Sequence, residues 1–304
     1  MKSKRAVVAS FVSASGGVGK TKLSLMLAYH LRNLSQKVLF IDMDPTAGAS
    51  LTVFSEEKYD KHVEEKKTLS NALELRFQNV TVDPSSVIVQ AEVGSTIFDF
   101  VLPGERLINV VDELWKSSLP GLRFKKALDA FIPFSKYDYI IVDSAPFFDP
   151  RYTELSLHIS DCIFIPLRPS LIDLKRTLRM VSLLKDEVEA TEKGEKLREN
   201  MYAVFNHVPD KPSQVERRFV ESFLKGEKGK NFKSSDLQRR YDALLTYAER
   251  LKSEGVKFMS SYVETSSDVE RFPAPAVSKL PEKAEGFVIE ASQILEELRK
   301  SSIV

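Results

Sequence analysis

The stretch Ala14-Ser15-Gly16-Gly17-Val18-Gly19-Lys20-Thr21 constrains this chain more than any other, because it is suited to wrap an anion. Before it runs Ala6-Val7-Val8-Ala9-Ser10-Phe11-Val12, a short apolar run of the kind that forms a buried parallel strand. After it, Leu23, Leu25, Met26, Leu27, Ala28 and Leu31 recur at helical spacing. A glycine-rich turn between strand and helix lets backbone N–H groups face inward, and the helix N-terminus adds partial positive charge. In that frame Gly16, Gly17, Val18 and Gly19 cradle phosphates, with Lys22 beside them. Lys20 reaches the β- and γ-phosphates, and the Thr21 hydroxyl is a ligand for Mg²⁺. The usual pattern opens on a glycine with four residues between it and the Gly-Lys pair. Ala14 holds that place here and fits it with a negative φ.

Strand signals alternate with helix signals along the rest of the 304 residues. Val38–Ile41 precedes Asp42-Met43-Asp44-Pro45, and Tyr139–Val142 precedes Asp143-Ser144-Ala145-Pro146. Cys162–Ile165 precedes Pro166-Leu167-Arg168-Pro169, Met201–Phe205 precedes Asn206-His207, and Val256–Met259 begins a further run. This alternation predicts an α/β fold: a mostly parallel twisted sheet with helices on both faces and ligands at the carboxyl edge of the strands. A single domain over 1–304 is expected, with insert-like segments at about 53–125 and 211–255. The first carries an extended Val87-Ile88-Val89; the second reads as charged helices broken at Gly226 and Gly229. An amphipathic helix from about Glu285 to Lys300 closes the chain, with Phe287, Ile289, Ile294, Leu295 and Leu298 as its apolar positions.

Composition removes several classes. A net charge of +1 gives no overall attraction to nucleic acid or to an acidic membrane, so such contacts need a local patch. The single Cys162 excludes an intramolecular disulfide framework and a cysteine zinc site. No apolar run approaches a membrane span, and the basic N-terminus leads directly into a strand rather than a secretion signal. A cytoplasmic protein with no membrane partner is expected.

Strand-end carboxylates complete a nucleotide site. Asp143 follows four apolar strand residues and is placed to hold Mg²⁺, through water. Asp42 and Asp44 follow the second strand with one residue between them and so have different jobs: one supports the metal, the other orients water at the γ-phosphate. The plain alternative is that strand-end aspartates cap turns and helices.

These motifs together resemble the ParA/MinD family of deviant Walker ATPases, most closely the Soj-like ParA partition ATPases. Ser15–Thr21 is similar to that family's Lys-Gly-Gly-Val-Gly-Lys-Thr, Val38–Pro45 to its second motif, and Tyr137–Pro146 to its Walker B segment. Ile165–Pro169 resembles the following strand end, Asn206 sits where the family places an adenine-contacting Asn, and 265–298 resembles the region whose loop covers adenine. The resemblance implies ATP and Mg²⁺ binding, a homodimer in the ATP state, and slow hydrolysis. Asp44 then activates the attacking water and Asp143 serves the metal. It also implies binding of nonspecific double-stranded DNA, nucleoid association when ATP-bound, and stimulation by a centromere-binding ParB-like adaptor.

Two positions depart from the family pattern. Ser15 replaces the signature lysine that reaches the partner subunit's phosphates, and Thr46 replaces the usual Gln. Lys22, Arg151 and Arg168 are the cations open to substitute for that lysine. Ser15 also supports an alternative, a nucleotide-binding switch with little or no hydrolysis; a phosphate-transferring metabolic enzyme is a third, weaker reading. For DNA, the segment from Lys211 to Lys257 holds 12 Lys and Arg against 7 Asp and Glu. Arg217, Arg218, Lys225, Lys228, Lys230, Lys233, Arg239 and Arg240 are its candidate phosphate contacts. The competing reading is a solvated face with pairs such as Glu249 and Lys252.

Overall fold

The computed structural model describes residues 5–147, 149–227, 232–273 and 279–301. Its strands are β1 (Val7–Phe11), β2 (Val38–Met43), β3 (Ile88–Val93), β4 (Thr96–Val101), β5 (Tyr139–Ser144), β6 (Cys162–Leu167), β7 (Met201–Phe205) and β8 (Lys257–Phe258). They form one eight-stranded sheet in the order β3-β4-β2-β5-β1-β6-β7-β8. Every pairing is parallel except the β3–β4 hairpin. This is the expected α/β architecture, with β1 between β5 and β6.

Alternation along each strand sorts side chains to the two faces. Val7, Ala9 and Phe11 of β1 share a core with Phe40, Ile141 and Phe164 and with the helices Lys20–Asn33 and Glu282–Ser301. On the other face, Val8, Leu39, Ile41, Ile140 and Val142 join the helices Leu69–Phe77, Leu107–Trp115, Pro120–Asp129 and Pro150–Leu157. Ile163, Ile165, Ala203 and Phe205 meet Leu171–Ala190, Val215–Leu224 and Ser235–Ser253. Leu23, Leu25, Met26, Leu27 and Leu31 are all at most 1% exposed. Each such burial is worth about 1.5–3 kcal/mol, so the helix that opens at Lys20 is anchored and cannot drift from the loop before it.

Three sequence expectations are refined. The Val87 run leads into one arm of a hairpin whose second arm, β4, is not among the expected strands, although Thr96–Val101 is rich in β-branched and aromatic residues; β4 pairs parallel with β2. In the C-terminal helix Ile289 is 47% exposed, and Val288 and Ala291 take the core places beside Phe287, Leu295 and Leu298. Arg299 of that helix reaches Asp138 and Gln36. Within 211–255 the two helices are separated by a turn at Gly226, where φ is +66°, while Gly229 lies outside the described residues. Cys162 is fully buried in β6, and burial pushes its thiol pKa well up.

Candidate active site

The carboxyl ends of β1, β2 and β5 bring the glycine loop and the three aspartates together. Gly19 caps the helix Lys20–Asn33 with φ +86°. A Cβ there would stand 2.0 Å from Asn206 Nδ2, so both the backbone and the space demand glycine. Gly17, at φ +68°, has nothing within 4 Å of a would-be Cβ and leaves one side of the loop open. Ser13, Gly16–Lys22, Asp44, Thr46, Pro146, His207 and Glu270 are among the residues that line a cavity of about 560 Å³. A second cavity, about 670 Å³, shares Glu270 and is bordered by Arg217, Glu264, Thr265 and Lys283. Size alone does not pick the site. A groove as large as the first cavity lies between the helices Leu69–Phe77 and Leu107–Trp115, but it has no glycine-rich backbone, and Arg106 pairs with Glu74 at its wall.

Asp143, fully buried at the end of β5, ties the loop down. Its Oδ1 accepts from Lys20 Nζ at 2.7 Å and its Oδ2 from Thr21 Oγ1 at 2.6 Å. Burial raises the Asp143 pKa, and Lys20 and Thr21 oppose that rise. The strand-end acid and the loop hydroxyl are thus already side by side.

Asp42 and Asp44 do have different surroundings. Asp42 is 0% exposed, and both its oxygens are engaged by protein donors. Oδ1 accepts from Asp44 N, and Oδ2 accepts from Ser50 N and Ser50 Oγ. The metal role read for Asp42 therefore gives way to a positioning one, because the carboxylate faces inward and holds the turn that carries Asp44. Its complete burial, and then the nearby Asp143 charge, push its pKa up to about 7. Asp44 lies just past β2 and borders the cavity. Its Oδ1 accepts from Thr46 N at 2.9 Å and Thr46 Oγ1 at 2.7 Å. Thr46, a departure in the sequence, is thereby a positioning residue for Asp44.

Asn206 stands behind the loop rather than in it. Its Nδ2 donates to Val18 O at 2.8 Å, the residue is 2% exposed, and its Oδ1 has no partner among the described residues. In this arrangement it is a clamp on the phosphate loop. Ser15 Oγ is buried and faces Asp173. It lies among the groups near Asp173, whose burial would raise its carboxyl but which Arg168, Ser15 and Ser170 together hold below the usual range. Of the three candidate cations, Arg151 is committed to Asp149 and Asp112. Arg168 is held by Asp173 at 2.6 Å with 43% of its side chain exposed. Lys22 borders the cavity, where burial lowers its pKa despite Glu270.

A family model for an AAA domain, AAA_31, matches residues 6–193. The chain belongs to the ParA/MinD family of P-loop ATPases. It is 27% identical over 187 residues to the sporulation initiation inhibitor protein Soj of Bacillus subtilis, covering 57% of this chain and 65% of Soj. The fold superposes on an ATP complex of a Cyanothece McdA variant with TM-score 0.62 at 18% identity, covering 99% and 98% of the two chains. It also superposes on a putative plasmid partition protein of Borrelia burgdorferi bound to AMPPNP, with TM-score 0.56 at 20% identity, covering 81% and 99%. The family motifs, Ser15–Thr21, Val38–Pro45 and Tyr137–Pro146, all fall within the matched span. Asn206, His207 and Glu270 lie beyond it.

The site residues that sequence reasoning did not single out are Ser50, Asp173, His207 and Glu270. Only Ser50 carried a local signal, as a hydroxyl eight residues beyond Asp42. His207 and Glu270 reach the cavity from distant elements, and Asp173 is buried beside Arg168 and Ser15.

The basic segment is less free than its composition. Arg217 is engaged by Glu221, at 2.8 Å, and Glu264, at 2.8 Å. Arg240 pairs with Glu216, and Arg239 with Asp236 at 2.8 Å. Arg218 donates to Pro212 O and lies over the Phe232 ring. Lys225 and Lys233 make no ion pair among the described residues, and Lys228 and Lys230 lie outside them. Lys252 pairs with Glu249 at 3.4 Å, the solvated-face pattern. No helix among the described residues is long and apolar enough to cross a membrane.

Proposed function

We propose that this chain is a ParA-like ATP hydrolase of DNA partition, with the cavity above the glycine loop as its ATP site. The observation that carries the reading is Asp143 accepting from Lys20 and Thr21 together, with Asp44 opening onto the same cavity. That geometry brings three needs of phosphoryl transfer to one place: a lysine for the phosphates, oxygen donors for a cation, and a carboxylate for the attacking water. Asp44, oriented by Thr46 and carried by the Asp42 turn, accepts hydrogen bonds from water and aligns it toward the γ-phosphate. Lys20 moves its ammonium from Asp143 to the phosphates when they enter.

Thr21 Oγ1 and Asp143 are hard oxygen donors that suit Mg²⁺, with Asp143 acting through water. When bound, the ion neutralises charge on the phosphate oxygens. The McdA and Borrelia structures are complexes with ATP and AMPPNP, which supports a nucleotide here. Partition enters by way of the Borrelia protein's description and the relationship to Soj.

The rest of the cycle is part of the same proposal. The protein occupies one domain, works in the cytoplasm and dimerises with ATP bound. The dimer holds nonspecific double-stranded DNA on the nucleoid, and a ParB-like adaptor stimulates hydrolysis. Its DNA contacts come from exposed cations with no carboxylate partner among the described residues, Arg176 and Arg179 on the helix Leu171–Ala190 with Lys225 and Lys233. The uncharged Ser15 side chain, standing where the family pattern has a lysine, favours a second reading, a switch that binds ATP and turns over little.

Phosphate release by the purified chain with Mg²⁺, with and without duplex DNA, tests the proposal together with a sizing run in ATP. The expected outcome is slow DNA-sensitive turnover by an ATP-dependent dimer. Asp44→Ala should lower it at least about 100-fold while nucleotide still binds. Tight binding with no turnover in a single-turnover assay selects the switch, and normal turnover by Asp44→Ala removes Asp44 from the reaction.

A further inference from the structure

His207 has no part in the reaction above, yet it occupies the wall of the cavity. Its backbone lies in the left-handed region, φ 54°, where a non-glycine residue is held at a cost of about 1 kcal/mol or more. The bend falls at the end of β7, directly after the Asn206 clamp. It sets the imidazole against the phosphate loop, with Nε2 3.6 Å from where a Cβ on Gly19 would stand. The ring makes no hydrogen bond among the described residues. Its charged surroundings come from four elements: Lys22 on the helix Lys20–Asn33, Arg168 after β6, Asp173 on the helix Leu171–Ala190, and Glu270 on the helix Ser267–Arg271. Burial first, then Arg168, hold its pKa below the ordinary 6.5, with Lys22 adding to them and Glu270 and Asp173 opposing. These surroundings favour the neutral imidazole at pH 7. A polyphosphate on Gly17–Thr21 brings several negative charges beside that ring and reverses the balance.

We propose that His207 contacts the phosphates of the bound nucleotide and takes up a proton as they enter, so that occupancy of the cavity is linked to pH. The inference rests on the nucleotide reading of the cavity. The sign follows from linkage: binding that takes up a proton weakens as pH rises, by up to about tenfold per unit between the free and bound pKa of the ring.

The test is titration calorimetry of the full chain with Mg²⁺ and a non-hydrolysable ATP analogue, in two buffers of different ionisation heat. The native chain should take up protons near pH 7. His207→Asn tolerates the left-handed backbone and keeps a donor but cannot titrate. It should bind with less uptake and a flatter dependence of Kd on pH. His207→Lys, a fixed cation, should bind with the same flattening, and whichever variant keeps the native circular dichroism spectrum carries the comparison. Protonation of the analogue itself is common to all three proteins and cancels in the difference. Uptake unchanged in a folded variant overturns the proposal for His207 alone. Failure of the native chain to bind overturns the nucleotide site, and this proposal with it.

Discussion

Two regions of this molecule are rich in charge, and they use it in opposite ways. At the carboxyl edge of the sheet, Lys20, Asp42, Asp44 and Asp143 are each at most 7% exposed and converge on one cavity or its floor. In the segment from Lys211 to Lys257, cations are numerous but many are occupied, by carboxylates such as Glu216 and Glu264 or by rings such as Phe232 and Phe223. A count of lysines and arginines measures the second region poorly, because an exposed ion pair cancels its own field within a few ångströms. The first region needs few charges because burial leaves each one poorly screened.

The largest expected contrast comes from Lys20→Ala. Lys20 and Asp143 form a buried pair, so the change should weaken triphosphate binding by roughly 10- to 100-fold, the worth of a charge-assisted hydrogen bond. It should also lower thermal stability by a few kcal/mol, because Asp143 loses its cation while Thr21 remains. Unchanged affinity by calorimetry would remove the phosphate role of Lys20. Asp42→Asn sharpens the same region through pH. The folded pKa of Asp42, about 7, lies above the ordinary 3.8, so between these values the native state binds more protons than the unfolded one. Its stabilising contribution is full below about 4 and is lost as pH rises toward about 7. Denaturant midpoints of the Mg²⁺-free chain should show that fall, and Asp42→Asn should flatten it. An equal slope in the variant assigns the loss elsewhere.

The smallest effects belong to the basic segment. Replacing Arg217 or Arg240 by Gln should change duplex DNA affinity by less than about twofold, since each already serves a carboxylate. Arg176→Gln or Arg179→Gln should weaken binding about threefold or more and reduce the salt slope by about one each. A reversed ranking would restore the composition-based patch and erase the distinction between the two regions.

This contrast also explains what could be read in advance. The glycine loop, its flanking strand and helix, and the Asp143 strand end are local patterns, with residue type and spacing set by backbone geometry. Asp42 and Asp44 were legible as a pair, but their division of labour depended on Ser50 and Thr46 arriving from the turn that follows. Arm β4 is local to β3, but its place inside the sheet depends on β2, more than fifty residues earlier in the chain. Beyond the resemblance of 265–298 to a region over adenine, nothing in their own segments singles out His207 or Glu270. Only the closing of β7 and the Ser267–Arg271 helix over the loop does so. Asn206 was noticed by resemblance, yet its hydrogen bond to Val18 gives it work that spacing could not suggest.

That hydrogen bond bears on kinetics. Stitched to β7 through Val18 O, the glycine loop enters a binding event with its backbone already shaped. Little entropy is left to lose on capture. A mould of this kind does not open and shut with its cargo. On the proposed reading, the residence time of a nucleotide would then be set by its other contacts, such as Glu270 across the cavity.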